Sequence, residues 1–305
     1  MIKKICDRAN GKKIEDLFFY AVILAFPVLQ FCVFYIGVNF NSLLLAFKNY
    51  ESYNSYSWSG LSNFENLFVM FGEKTLYAVA FKNSLKSFVW GTACGLLLGL
   101  FFSYYIFKKG FAYNFFKVCL FLPSIIPAIA LVVMFKQFAD GAMPQILGKI
   151  GFHVKGLLAE PKLTFGSIIF YNVWISFGTG ILMYAGAMEN IPESIFEAAK
   201  LDGASYGIEF FKIVFPLIWG TFSTFFIVNV GSIFINSMNI YAFYGPNAEE
   251  SVYTIGYFLY NESVKTNAYA NYPQLAAFGI VLSLITLPFV YLSKFILKKI
   301  GPAAD

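Results

Sequence analysis

Six stretches without a charged side chain divide this sequence. There are 31 uncharged residues between Asp16 and Lys48, 21 between Lys86 and Lys108, and 18 between Lys117 and Lys136. A further 26 lie between Lys162 and Glu189, 36 between Lys212 and Glu249, and 28 between Lys265 and Lys294. A helix needs about 20 mainly apolar residues to cross the hydrocarbon core of a bilayer, so each run predicts one crossing. The predicted class is an all-α polytopic membrane protein with six transmembrane helices. Five of them fall near Leu17–Phe40, Ser84–Phe107, Phe165–Ala187, Leu217–Ala242 and Tyr272–Phe295, and the third carries Pro123 and Pro127.

Within the runs, polar and small residues recur at helical spacing. In the second, Gly91, Gly95 and Gly99 predict close backbone approach to a neighbouring helix. In the third, Pro123 and Pro127 predict a kink with freed carbonyls, which either line a pathway or serve packing. Asn172, Ser176 and Thr179 fall within a sector of roughly 60° on the fourth span. Asn229, Ser232, Asn236 and Asn239 fall within roughly 80° on the fifth. Amides and hydroxyls in hydrocarbon must face other helices or water. Either they tie helices together, or they line a path for an uncharged polyol that exchanges hydrogen bonds with them. The outer segment from Asn41 to Asn83 holds Tyr50, Tyr53, Tyr56 and Trp58, which suit the membrane interface, and an amphipathic stretch Phe64–Phe71.

One polar island breaks this pattern, Glu189 to Pro216. Pro192 suits the first turn of a helix, Glu197-Ala198-Ala199-Lys200 is strongly helix-forming, and Asp202-Gly203 ends that helix at a left-handed residue. A second short helix is expected to stop at Pro216. On the first helix, Ile195, Ala198 and Ala199 make an apolar face, and Glu193, Glu197 and Lys200 the opposite one. Two short helices with a fixed bend between spans read as a docking element.

Composition agrees with a membrane protein: 58% hydrophobic, 13% charged, mean hydropathy +0.65. With the N-terminus inside, 13 of the 22 Lys and Arg residues fall on the inner side, so the net charge of +5 reads as positive-inside topology and not as a nucleic-acid surface. The first run is expected to stay as an anchor, because no small-residue cleavage site follows it. Cys6, Cys32, Cys94, Cys119 and His153 have neither metal-type nor redox-type spacing. No phosphate-binding G-x-x-x-x-G-K-[ST] loop occurs, no Asp, Glu, Lys or Arg lies near the middle of a span, and no nucleophile–base set is visible. An enzyme and a self-powered pump are therefore disfavoured.

Glu197-Ala198-Ala199, Asp202-Gly203-Ala204, Phe210, Ile213 and Pro216 closely resemble the EAA loop of bacterial ABC importer permeases. Gly60-Leu61-Ser62-Asn63-Phe64, Phe121-Leu122-Pro123-Ser124-Ile125-Ile126-Pro127 and Met188-Glu189-Asn190-Ile191-Pro192 are similar to segments of its carbohydrate branch, of the maltose and glycerol-phosphate first-permease type. The T-x-G-G-P segment of that branch appears here as Phe243-Tyr244-Gly245-Pro246, one Gly short and without the Thr. The resemblance implies the MetI-like permease fold: a tail over 1–16, a six-span domain over 17–299 with the coupling loop at 189–216, and a tail over 300–305. It implies a heterodimer with a second permease subunit, two ATP-binding subunits, an extracytoplasmic sugar-binding protein and surrounding membrane lipid, with no nucleic acid. ATP and Mg would be bound by the partner ATPase, and no cofactor by this chain.

The same resemblance places the protein in the bacterial inner membrane, multi-pass, with both termini cytoplasmic. It implies ATPase coupling through Glu193, Glu197, Ala198, Ala199, Asp202, Gly203 and Ala204, and a sugar pathway near Ile175, Ser176, Thr179, Asn229, Ser232 and Asn236. Two alternatives remain: a self-sufficient channel or secondary carrier for a small polar solute, and an ABC importer for glycerol phosphate or another polyol derivative.

Overall fold

The structure, a computed structural model, describes residues 17–52, 55–73, 75–153, 155–265 and 270–302. The basic tail over 1–16 with Cys6, together with Tyr53 and residues 303–305, lies outside the described residues. The chain divides into two compact units, Met1–Phe68 with Asn267–Ile280, and Val69–Thr266 with Val281–Asp305.

The first unit opens with α1 (Leu17–Leu45), a helix of mean hydropathy 2.3 that runs through Pro27 and is exposed from Leu17 to Leu43. A small antiparallel hairpin follows, β1 (Lys48–Ser52) and β2 (Ser55–Trp58), an accessory ribbon on an otherwise helical chain. Tyr50 and Tyr56 face each other across it with ring centroids 5.9 Å apart, a cross-strand aromatic pair of the kind that stabilises such ribbons. Asn63, from the Gly-Leu-Ser-Asn-Phe segment, donates to the carbonyls of Ala46 at 3.0 Å and Lys48 at 2.8 Å, pinning the first strand. The Phe47 ring lies 5.8 Å from that of Trp58 and 5.4 Å from that of Phe64. A helix, α2 (Ser62–Glu73), begins at this staple.

The second unit is helical. Its long elements are α3 (Thr75–Phe107) and α6 (Pro161–Glu189), with α4 (Tyr113–Ile125) and α5 (Ala128–Lys149) between them. Beyond α6 come α7 (Glu193–Leu201), α8 (Tyr206–Leu217), α9 (Trp219–Gly231), α10 (Ile240–Tyr244) and α11 (Ile255–Val264). The last helix, α12 (Tyr272–Ile300), is shared between the two units.

Four helices are long and apolar enough to cross a membrane alone: α1, α3, α6 and α12. The third and fifth expected spans are instead bent pairs, α4 with α5 at 108° and α8 with α9 at 69°, and counting each as one span gives six. The third breaks at Pro127 and not at Pro123, which sits inside α4. The ring of Pro127 forces Ile126 out of the helical region, to φ −76° and ψ 138°. The fifth expected helix, Leu217–Ala242, ends at Gly231, and Ser232–Asn239 runs irregularly with Met238 and Asn239 in left-handed conformations.

One core cluster of this unit forms where α3 packs on α6, and another joins Leu131, Phe135, Tyr171, Ile240 and Phe243. Leu96 and Leu100 meet Tyr184 and Met188, and the cluster continues into Phe196, Phe210, Val214 and Ile218. Of the three α3 glycines, only Gly99 supports the expected close approach, since a Cβ there would lie 3.4 Å from the Tyr184 ring. Gly95 meets nothing, and Gly91 borders a cavity. A closer approach lies elsewhere: a Cβ on Gly178 would sit 2.3 Å from the Leu120 carbonyl oxygen, so α6 and α4 touch backbone to backbone.

Candidate functional site

A cavity of about 280 Å³ lies between α3, α6, α9 and the irregular segment after α9. Ser87, Gly91 and Thr92 line it from α3, Asn172, Ile175 and Ser176 from α6, and Asn229 from the end of α9. The loop contributes Ser232, Asn236 and Asn239. Among its described lining residues there is no Asp, Glu, Lys or Arg.

The two polar stripes therefore converge, but the second does so for a different physical reason than helical spacing. Ser232 sits just beyond the helix end, where its backbone amide contacts the carbonyls of Val228 and Asn229. Past it, side chains orient the backbone. The Asn236 amide oxygen accepts from Met238 N at 2.9 Å, and the Thr254 hydroxyl donates to Asn236 O at 3.2 Å. Gly256 lets this loop settle on the start of α11, because a Cβ there would lie 2.4 Å from the Ile235 carbonyl oxygen. Asn172 holds the far end. Its NH2 group donates to the carbonyls of Ile168 and Met238, both at 2.8 Å, and its oxygen accepts from Asn239 Nδ2 at 2.7 Å. Asn229 donates to Phe225 O at 2.9 Å, which leaves its amide oxygen uncommitted among the described residues.

Thr179 does not join this group. It shares the face of Asn172, but it lies two helical turns farther along, about 10 Å, and is exposed beyond the end of the cavity. Ser87, Gly91 and Thr92 were not singled out as pathway residues, although Ser84, Ser87 and Gly91 repeat at helical spacing. That modest signal is hidden in α3 by the strongly apolar remainder of the helix.

The polar island folds as a hairpin of α7 and α8. Pro192 stands immediately before α7 with ψ 135°, one position earlier than expected. The turn after α7 is a Schellman motif. Ala204 N donates to Ala199 O at 2.9 Å, Gly203 N donates to Lys200 O at 3.1 Å, and Gly203 takes φ +73°. Ser205 Oγ then accepts from Ile208 N to start α8. Pro216 does not stop that helix, which reaches Leu217 before the break at Ile218.

The inner face of α7 is Phe196 and Ala199. Ile195 is half-buried and Ala198 exposed, so the expected apolar face is rotated, because the Phe196 ring finds Phe107 at 5.3 Å. Glu193, Glu197, Ala198, Asp202 and Gly203 remain exposed, and Leu201 is 89% exposed at the tip. Ala204 is half-buried. Beside the hairpin runs a groove of about 950 Å³, bordered by Lys109, Lys117, Glu189, Glu193, Glu197 and Lys200 among others.

One pair in this region was not visible in the sequence. Lys108 Nζ lies 2.6 Å from Glu209 Oε1, with side-chain exposures of 18% and 4%. The Tyr104 hydroxyl lies 2.9 Å from the same oxygen and 3.1 Å from Tyr206 O.

Long apolar helices, two bent helix pairs, a polar hairpin and an uncharged polar cavity define a multi-pass membrane permease with the fold of ABC importer permeases. The chain belongs to the family described as binding-protein-dependent transport system inner membrane component, which matches residues 91–304. It is a transport subunit, not an enzyme. It is 24% identical to the multiple sugar-binding transport system permease protein MsmF of Streptococcus mutans, over 93% of this chain and 98% of that protein. It is 30% identical to the probable ABC transporter permease protein YesP of Bacillus subtilis, over 67% of this chain and 66% of that one. Its fold matches a chain in a bacterial ABC transporter that imports the acidic polysaccharide alginate, with TM-score 0.76, 22% identity, 97% of this chain covered and 100% of that one.

Proposed function

We propose that this chain forms one half of the translocation pathway of an ATP-driven importer for a neutral sugar or oligosaccharide, with the cavity as its contact site. The observation that carries the reading is the gathering of Asn172, Ser176, Asn229, Ser232, Asn236 and Asn239 with Ser87 and Thr92 in one cavity whose described lining is uncharged. Amides and hydroxyls exchange hydrogen bonds with sugar hydroxyls. An anionic solute or a phosphate ester calls for Arg or Lys, which this wall does not offer. The similarity to MsmF, a permease of a multiple sugar-binding transport system, supports a sugar as the substrate.

A second permease subunit completes the pathway, an extracytoplasmic sugar-binding protein delivers the substrate, and two partner subunits bind ATP and Mg. In this assembly the α7–α8 hairpin faces the cytosol, as do both termini. Glu193, Glu197, Ala198, Asp202 and Gly203 lie on or beside the surface offered to one ATPase, while Ala199 and Ala204 hold the helix and its turn. Exposed Leu201 supplies an apolar tip for a cleft.

The test uses Asn229→Ala and Asn236→Ala in the assembled transporter. Each is expected to weaken uptake of the transported sugar roughly tenfold or to change preference among sugars, at normal assembly. If assembly alone suffers and substrate preference stays fixed, these amides bind helices together and do not touch cargo.

A further inference from the structure

The cavity has three helical walls, and they are not equally connected to the hairpin. The α6 wall continues through Asn190–Pro192 into α7, and the α9 wall continues through Ile218 from α8, so both are joined to the hairpin by the chain itself. The α3 wall, which carries Ser87, Gly91 and Thr92, has no such continuity. Its end near the hairpin is Phe107, and the next residue is Lys108.

Lys108 meets both arms of the hairpin. Its ammonium is paired with Glu209 of α8 at 2.6 Å. It also lies 5.0 Å from the ring centre of Phe196 on α7, 5.7 Å from that of Tyr206 on α8 and 6.0 Å from that of Tyr104 on α3 itself, within cation–π range. Tyr104 shares its hydroxyl proton between Glu209 Oε1 and the Tyr206 carbonyl. A buried ion pair gives little net stability over well-packed apolar side chains, but its direction and short range fix geometry. Apolar contacts such as Phe107 on Phe196 resist separation yet tolerate sliding.

We infer that Lys108 and Glu209, with Tyr104, are positioning residues that clasp α3 to the hairpin and carry its displacement to the α3 wall of the cavity. Thr92 stands about 24 Å from Lys108 along the same continuous helix, so a rigid shift at one end is felt at the other. The inference rests on the reading of the hairpin as the ATPase contact. With the clasp closed, all three walls move together when the motor drives the hairpin. Without it, α3 follows α6 only through the packing of Leu96 and Leu100 on Tyr184 and Met188 and the Ser103–Ile181 hydrogen bond, and its displacement falls short of theirs.

The experiment reads sugar taken up per ATP hydrolysed in vesicles holding the complete transporter with its binding protein, alongside co-purification of the ATPase. The neutral pair Lys108→Met with Glu209→Gln avoids stranding one buried charge. It is expected to retain the ATPase at normal stoichiometry while uptake per ATP falls roughly tenfold. Tyr104→Phe keeps the ion pair and removes one hydrogen bond, and should lower the same ratio about threefold. An unchanged ratio in the neutral pair overturns the clasp; if that variant does not assemble, an unchanged ratio in Tyr104→Phe overturns it. Control variants at Glu197 and Gly203 separate the two readings. If those transport normally, the docking role fails and the clasp falls with it. If they fail while the neutral pair couples normally, only the clasp is lost.

Discussion

The amide of Asn172 shows how a cavity residue can be committed to structure instead of cargo. Its NH2 group is held by two carbonyls and its oxygen by Asn239, so its four hydrogen-bonding positions are largely taken. What it supports is costly backbone. Met238 and Asn239 both adopt positive φ, at 52° and 55°, which L residues avoid by about 1–2 kcal/mol each. Asn172→Ala would leave the Met238 carbonyl and the Asn239 amide with one partner fewer and a cost of about 1–3 kcal/mol. The expected outcome is a lower thermal midpoint of the purified subunit and weaker uptake, with sugar preference unchanged. The Asn229 amide oxygen and the Asn236 NH2 group have no partner among the described residues, so Asn229→Ala and Asn236→Ala should instead alter preference. A shift of preference in Asn172→Ala would place that amide on the substrate.

At the scale of elements, charge spacing located the membrane segments because the cost of burying an ion is a property of one residue and is legible without a partner. Breaks inside the segments needed more. Pro127 acts on Ile126 by a local rule that the sequence contains, whereas the end of α9 at Gly231 depends on Gly256 and Thr254 receiving the loop from far along the chain. Periodicity thus picked Ser232, Asn236 and Asn239 correctly as neighbours while assuming a helix that is not there. The hairpin was clearer, since Gly203 and its Schellman bonds are local, but its inner face depended on where Phe107 stood. The proposed docking of the hairpin on an ATPase yields a direct prediction. Glu197→Lys reverses an exposed charge, and Gly203→Val places a branched residue at φ +73°. Each should reach the membrane normally yet lose uptake, with ATP hydrolysis no longer rising when sugar-loaded binding protein is added. Normal uptake in both would remove the docking role.

Over the whole molecule, the question is where the work of transport enters. Lys108 and Glu209 looked like ordinary flanking charges in the sequence, because nothing in either neighbourhood names a partner so far away; only the fold makes them a pair. The ionisable groups that a proton- or sodium-driven carrier places mid-membrane are missing from the cavity wall, whose described residues are all uncharged. On the proposed reading the work comes from outside this chain, and the hairpin is the contact for a subunit that hydrolyses ATP. The consequence is measurable with purified components. Vesicles containing this subunit and its permease partner without ATPase should equilibrate sugar at most, and should build no gradient under any applied proton or sodium gradient. Adding the ATP-binding subunits, binding protein and internal ATP should then produce accumulation that stops when ATP is exhausted. Accumulation driven by an ion gradient in the first preparation would move the coupling into the membrane and leave the hairpin as an ordinary surface turn.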